Sequence, residues 1–147
     1  MMEHKPMTVW DRLDNIIRQE LIVPVYQPII SLKDGSTLGF EALSRISAGG
    51  LFDNVEDMFF SAEKCGKIWE LERVCRRAVL EQIREQKGRF DKMNAKLFIN
   101  VNPKVLYDEK FQTGFTKEYL KQYEIPVERI VFEITERQQV EDETGFM

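Results

Sequence analysis

Hydrophobic residues recur at helical spacing over residues 8–20, and the pattern then changes to strand-like runs. The first two runs, Ile22–Leu32 and Thr37–Arg45, are joined by a short segment that contains the pair Asp34-Gly35. An Asp-Gly pair between two apolar runs is typical of a hairpin turn. The pattern therefore predicts an amphipathic helix followed by two antiparallel strands.

Helices are predicted over the middle of the chain. Asp53 has a side chain suited to an N-cap, and the apolar residues behind it predict a short helix. A longer helix is predicted over Lys67–Lys87, where apolar residues form one stripe and Gly88 offers a C-terminal stop. A helix of that length is long enough to cross back over a sheet.

Two buried strands are predicted in the last third of the chain, Lys96–Asn102 and Ile130–Glu136. Asn102-Pro103 joins a preferred N-cap to a proline at the first helical position, and a second helical piece is predicted near Thr116. After Arg137 the sequence is again polar and helix-like. This order predicts an α/β protein whose first strand is antiparallel and whose later strands are parallel, joined by right-handed crossover helices.

Composition narrows the class of protein. The 147 residues are 43% hydrophobic with a net charge of −4 and no basic block, so we expect one globular domain that binds no long nucleic acid. No apolar run approaches the roughly 20 residues that span a bilayer, and no signal-peptide core is present, so we expect a cytoplasmic protein. The single histidine, His4, and the distant Cys65 and Cys75 give little support for zinc. A metal would use carboxylate and amide oxygens, which favours Mg²⁺, Mn²⁺ or Ca²⁺.

Three polar residues lie inside three different apolar strands: Glu41, Asn100 and Glu133. An isolated buried carboxylate is costly, so Glu41 requires either a cationic partner or a metal ion. Because strand residues alternate between two faces, neighbouring strands would bring these side chains together near their C-terminal ends. Ligands and catalytic groups gather at that end of α/β sheets and barrels.

Other interpretations of these residues stay open at this point. Arg45 shares a face with Glu41, but the two lie about 13 Å apart along an extended strand, so an ion pair would need a bend. Asn100 alone is more often a buried amide that bonds loop backbone, and Asn102 is best explained as a helix cap.

The motifs around these residues resemble those of the EAL domain family of cyclic di-GMP phosphodiesterases, whose name is the tripeptide found here as Glu41-Ala42-Leu43. The matching segments follow the family's order over residues 21–147: Tyr26-Gln27-Pro28-Ile29, Gly39-Phe40-Glu41-Ala42-Leu43-Ser44-Arg45, Ala62-Glu63, Gly66, Leu71-Glu72, Leu97-Phe98-Ile99-Asn100-Val101-Asn102-Pro103 and Phe132-Glu133-Ile134-Thr135-Glu136.

The resemblance implies a TIM-like barrel and the hydrolysis of cyclic di-GMP to pGpG by metal-assisted attack of water. By the family's pattern, the residues that bind Mg²⁺ or Mn²⁺ are Glu41, Asn100 and Glu133. The residues that contact the substrate are Gln27, Leu43 and Arg45.

The family's later ligands are expected beyond Met147. The resemblance therefore implies a partial barrel of about four strands, with residues 1–20 as an N-terminal helix and lead-in and residues 21–147 as a truncated EAL domain. We expect such a fragment to be inactive or very slow. The alternative is a non-catalytic cyclic di-GMP receptor or a protein-interaction module. Open barrel edges and an exposed apolar inner face predict a homo-oligomer.

Overall fold

The computed structural model describes residues 5–134, which form one four-stranded sheet with helices packed against it. The helices and strands follow in this order: α1 Val9–Gln19, β1 Ile22–Ile30, β2 Thr37–Ile46, α2 Val55–Lys64, α3 Ile68–Glu85, α4 Lys87–Met93, β3 Lys96–Val101, a 3₁₀ turn Pro103–Tyr107, α5 Phe115–Gln122, a second 3₁₀ turn Val127–Arg129, and β4 Ile130–Ile134.

The sheet has the strand order β1-β2-β3-β4. β1 is antiparallel to β2, while β2 pairs with β3 and β3 with β4 in parallel. The predicted α/β class, with an antiparallel first strand and parallel later strands, is confirmed. Among the described strands, β1 and β4 are the edges, and β1 accommodates Pro24 and Pro28 because an edge strand can spare backbone donors.

The hydrophobic core lies between one face of the sheet and the crossover helices. Ala42, Leu97 and Ile99 from the sheet pack against α3 and α5 in a cluster that includes the fully buried Leu80. A second cluster joins α1, α2 and α3 around Trp69. The helices cover this face. The opposite face of β2, β3 and β4 carries the predicted polar residues Glu41, Asn100 and Glu133 and is left open.

Helix ends agree with the sequence at some positions and differ at others. The capping box at Thr8 is present, and Asn102 caps the turn that follows β3 by accepting from the backbone N–H of Lys104 at 2.9 Å. The cap of α2 is Asn54, not Asp53, because the Asn54 side chain reaches the N–H of Asp57 at 2.7 Å. The prediction for Asp53 was wrong by one residue.

The long helix also ends differently from the prediction. α3 ends at Glu85, and Gly88 lies inside the separate helix α4 and does not act as a stop. The left-handed residue that ends α4 is Asn94, with φ of 44°. A glycine stops a helix by adopting positive φ, and Gly88 is not among the described residues that do so.

The strand predicted to reach Glu136 is described as far as Ile134, and the helix predicted after Arg137 lies outside the described residues. Within residues 5–134, none of the helices combines the length and the apolar character needed to cross a membrane.

Candidate functional site

An open cleft lies where the C-terminal halves of β2 and β3 meet α2 and α3. Its volume is about 910 Å³. The side chains that line it include Glu41, Leu43, Arg45, Glu63, Asn100 and Lys104. Four of these six residues are among the predicted metal-binding or substrate-binding residues.

Asn100 and Glu41, which both line the cleft, are in direct contact. The Asn100 Nδ2 donates a hydrogen bond to Oε1 of Glu41 at 2.7 Å, and both residues are half-buried. Parallel pairing explains the contact. Glu41 pairs in register with Phe98, so Asn100 lies one pleat further along β3 on the same face of the sheet.

Arg45 does not neutralise Glu41. Its Nη1 donates to the carbonyl of Ser44 at 2.8 Å. The ion pairs found within residues 5–134 do not include Glu41. The half-buried carboxylate is thus stabilised by a neutral amide, which leaves its negative charge uncompensated by protein groups in the described part of the chain.

Glu133 lies on the neighbouring strand. It pairs in register with Asn100 and is half-buried on the same face. Three oxygen-bearing side chains on adjacent strands match a hard divalent cation in the kind of ligand that they offer. Residues 5–134 contain no group of three or more histidine, cysteine, aspartate or glutamate side chains arranged to hold a metal ion. The oxygen atoms of Glu41, Asn100 and Glu133 are of the type that Mg²⁺ and Mn²⁺ prefer. These three residues alone would fill only part of the coordination shell of such an ion.

The three predicted substrate residues are placed differently from one another. Leu43 and Arg45 line the cleft on β2, where Arg45 is exposed. Gln27 is also exposed and pairs in register with Glu41 across the β1–β2 hairpin, but it does not line the cleft. The structure therefore brings Leu43 and Arg45 to the cleft and leaves Gln27 beside it on the edge strand.

A buried ion pair on α3 forms part of the cleft wall and was missed by the sequence interpretation. Arg76 Nη2 donates to Oε2 of Glu72 at 2.8 Å, and Oε1 of Glu72 accepts from the backbone N–H of Asn102 at 2.8 Å. The available signal was a Glu and an Arg four residues apart within the apolar stripe of a helix, since charges at such positions need partners.

Burial changes the proton affinity of two groups in this wall. Desolvation raises the pKa of Glu72, and the neighbouring Arg76 opposes that rise. Desolvation also raises the pKa of the Cys75 thiol to about 12, so this thiol stays protonated at neutral pH. Cys65 and Cys75 are both free thiols, as the sequence predicted.

Lys104 lines the cleft together with Glu63. It follows β3 in the 3₁₀ turn, and its Nζ donates to the carboxylate of Glu63 at the end of α2. This contact joins the turn after β3 to α2. This charged pair is partly exposed, with side-chain exposures of 38% for Lys104 and 28% for Glu63.

Fold and site together define an α/β domain with a carboxylate and amide cluster at the C-terminal ends of neighbouring strands. A family model described as the EAL domain matches residues 10–145. The chain belongs to the EAL domain family, and the resemblance seen in its motifs is confirmed.

Solved EAL domains share this fold. The FimX EAL domain from Pseudomonas aeruginosa bound to c-di-GMP is 20% identical with a TM-score of 0.72, covering 94% of this chain and 54% of that one. The PaMucR phosphodiesterase in complex with c-di-GMP is 17% identical with a TM-score of 0.73, covering 95% and 56%. An EAL domain protein from Listeria monocytogenes EGD-e is 22% identical with a TM-score of 0.64, covering 90% and 51%.

The chain thus spans just over half the length of these three solved structures. None of the curated proteins matches it.

Proposed function

We propose that this chain is part of a cyclic di-GMP phosphodiesterase and that its cleft binds cyclic di-GMP. The observation that carries the proposal is the contact between Asn100 and Glu41 at 2.7 Å, in a cleft that also holds Arg45. The FimX and PaMucR structures named above contain the same ligand. Uncompensated carboxylate charge in the same cleft as an exposed guanidinium suits a ligand that brings phosphates together with divalent metal.

Glu41, Asn100 and Glu133 are the residues that would hold Mg²⁺ or Mn²⁺. A bound divalent ion lowers the pKa of water and neutralises charge on phosphoryl oxygens. The hydrogen bond from Asn100 limits the orientations of the Glu41 carboxylate, and it leaves the other carboxylate oxygen and the amide oxygen for a cation.

The remaining residues of the cleft would bind and orient the substrate. The planar guanidinium of Arg45 offers paired donors that match a phosphate. Leu43 supplies an apolar surface between Arg45 and Glu41 on the same face of β2. Gln27 would contact the part of the ligand that extends over the edge strand, since it lies next to Glu41 in the hairpin.

Hydrolysis by this chain alone should be absent or very slow, because three oxygen ligands leave the coordination shell incomplete. A non-catalytic cyclic di-GMP receptor or protein-interaction module is the second candidate. It is favoured by the donor set of the cleft, because Glu41, Asn100 and Glu133 offer fewer ligands than the octahedral shell of Mg²⁺ requires. Mn²⁺-dependent production of pGpG at a typical enzymatic rate, about 1 per second or faster, would refute the incomplete site.

Calorimetric titration with cyclic di-GMP, with and without Mg²⁺, tests the binding site. We expect Mg²⁺ to strengthen binding, and Glu41→Gln to weaken the Mg²⁺-dependent part by at least about tenfold because one charged ligand is lost. Glu118→Gln on the exposed face of α5 is the matched control and should leave binding unchanged. Binding that ignores both Mg²⁺ and Glu41→Gln would refute the proposed metal site.

A homo-oligomer that covers the open edges and inner face is proposed on structural grounds. Val23 and Val25 on β1 are 43% and 39% exposed, and β4 is the other edge of the described sheet. β1 is weakened as a pairing edge by its two prolines, so pairing through β4 is favoured. A stable monomer in light scattering at about ten micromolar would contradict this proposal.

The division into a lead-in of residues 1–20 and an EAL portion of residues 21–147 is also a proposal, as is a cytoplasmic location. α1 shares the hydrophobic cluster around Trp69 with α2 and α3. The lead-in is thus packed onto the remainder of the domain.

A further inference from the structure

A buried ion pair lies on α3 behind the cleft, and none of the roles described above requires it. Glu72 and Arg76 are 6% and 7% exposed. Burying both charges carries a desolvation cost that their attraction only partly offsets, and apolar residues of similar volume often stabilise a fold as well or better. Stability alone is therefore a weak explanation for this pair.

Glu72 fixes the chain at the point where β3 ends. Its Oε1 accepts a hydrogen bond from the backbone N–H of Asn102 at 2.8 Å. Asn102 directly follows β3 and is the N-cap of the next turn. This bond from α3 lies two residues from Asn100, so it restricts how far the end of β3 can shift relative to α3.

Arg76 extends the connection to α5 and β4. Its Nη1 donates to Oγ1 of Thr116 at 3.0 Å, and its guanidinium carbon lies 5.3 Å from the centre of the Phe132 ring. Phe132 directly precedes Glu133 in β4. From the helix side of the sheet, the pair thus contacts a residue two positions after Asn100 and a residue directly before Glu133.

We propose that Glu72 and Arg76 are positioning residues, which hold the ends of β3 and β4 so that Asn100 and Glu133 stay aligned with Glu41. This inference rests on the proposed function for its purpose, although the alignment itself can be measured without any ligand. Directional hydrogen bonds fix a strand end in a way that apolar packing of the same volume does not.

The test replaces the pair by apolar residues of similar length, Glu72→Met/Arg76→Met. The matched control is Arg77→Met/Glu81→Met, a partly exposed pair with the same spacing on the same helix. We expect the buried-pair variant to remain folded, its Asn102 amide to exchange at least about tenfold faster than in the parent chain, and its Mn²⁺ affinity to fall by roughly 10-fold to 100-fold. The control variant should leave both quantities unchanged.

The outcomes separate this inference from the proposed function. A parent chain that binds neither Mn²⁺ nor cyclic di-GMP refutes the proposed function, while the ligand-free exchange rates still decide the positioning role. A folded buried-pair variant whose Asn102 amide and Asn100 side-chain amide exchange as in the parent overturns the inference.

If the double variant fails to fold, Glu72→Gln decides the question. Glutamine keeps an oxygen for Asn102 but removes the charge that holds Arg76. We then expect the backbone amide of Asn102 to exchange within about threefold of the parent rate. The backbone amide of Glu133 should exchange at least about tenfold faster than in the parent chain. Unchanged exchange at Glu133 would overturn the role of Arg76, and faster exchange at Asn102 would overturn the role of the Glu72 oxygen.

Discussion

Gly39 allows β2 and β3 to approach closely beside the candidate site, so Gly39→Ala should separate the two strands. A Cβ at this position would lie 2.4 Å from the carbonyl oxygen of Lys96 and 2.7 Å from Cε2 of Phe98, where ordinary contacts are 3.4–4 Å. The Phe98 ring could turn aside, but the Lys96 carbonyl belongs to the backbone. The strand must therefore move by about 1 Å to restore an ordinary contact.

The expected cost follows from this overlap. Forcing an extra methyl group into a close-packed contact costs about 1–3 kcal/mol, which is a substantial part of the roughly 5–15 kcal/mol that stabilises a domain. Gly39→Ala also removes backbone freedom from the unfolded chain, which favours folding by about 0.4–1 kcal/mol. The steric cost should exceed this gain, so the variant should be less stable than the parent chain.

Urea denaturation of Gly39→Ala beside Gly49→Ala isolates the steric cost. An added Cβ at Gly49 would meet no atom within 4 Å, and Gly49 is not among the described glycines with positive φ. Gly49→Ala thus reports the change in chain entropy alone. We expect a lower midpoint only for Gly39→Ala, together with weaker Mg²⁺-dependent binding because the Glu41–Asn100 contact spans the same two strands. Equal midpoints for the two variants would refute the close-approach argument.

Three further predictions concern Leu80 in the core and the two cysteines. Leu80→Ala should lower the free energy of unfolding by about 2–5 kcal/mol, since Leu80 is fully buried between α3 and the sheet, and a change below about 1 kcal/mol in urea denaturation would contradict this. Iodoacetamide should label the half-buried Cys65 before the buried Cys75 in the native chain, and equal labelling rates by mass spectrometry would contradict the burial of Cys75. Burial in the folded state raises the pKa of Cys75 from 9.0 to about 12, so the unfolded chain loses the thiol proton at lower pH than the folded chain. The free energy of unfolding should therefore fall as the pH rises through that interval. Cys75→Ala should remove that part of the fall.

Local sequence features predicted most of the elements. The Asp34-Gly35 hairpin, the Asn102 cap and the antiparallel first strand were all confirmed, because turn and cap preferences depend on a few adjacent residues. The predictions for Asp53 and Gly88 were wrong because the adjacent residues did not distinguish between the alternatives there. Adjacent Asp53 and Asn54 are equally suited to capping, and a glycine ends a helix only where the chain adopts positive φ, which nearby residues did not reveal.

The placement of the candidate site residues on neighbouring strands was predictable, but their contacts were not. Period-2 alternation and the family motifs pointed to Glu41, Asn100 and Glu133, and their placement on adjacent strands agrees with that prediction. The register that puts Asn100 in hydrogen-bond contact with Glu41 depends on how β2 and β3 pair, across 59 residues of sequence. No local pattern specifies a pairing over that separation.

The sequence by itself determined the alternation of strands and helices, the family and the residue types of the site, because these depend on local periodicity and on motifs within short segments. Only the tertiary structure decided that Asn100 and not Arg45 contacts Glu41, that Gln27 lies beside the cleft, and that Glu72 holds the end of β3. Each of these contacts joins elements through strand register or helix packing, which are set by the burial of the whole core and not by any one segment.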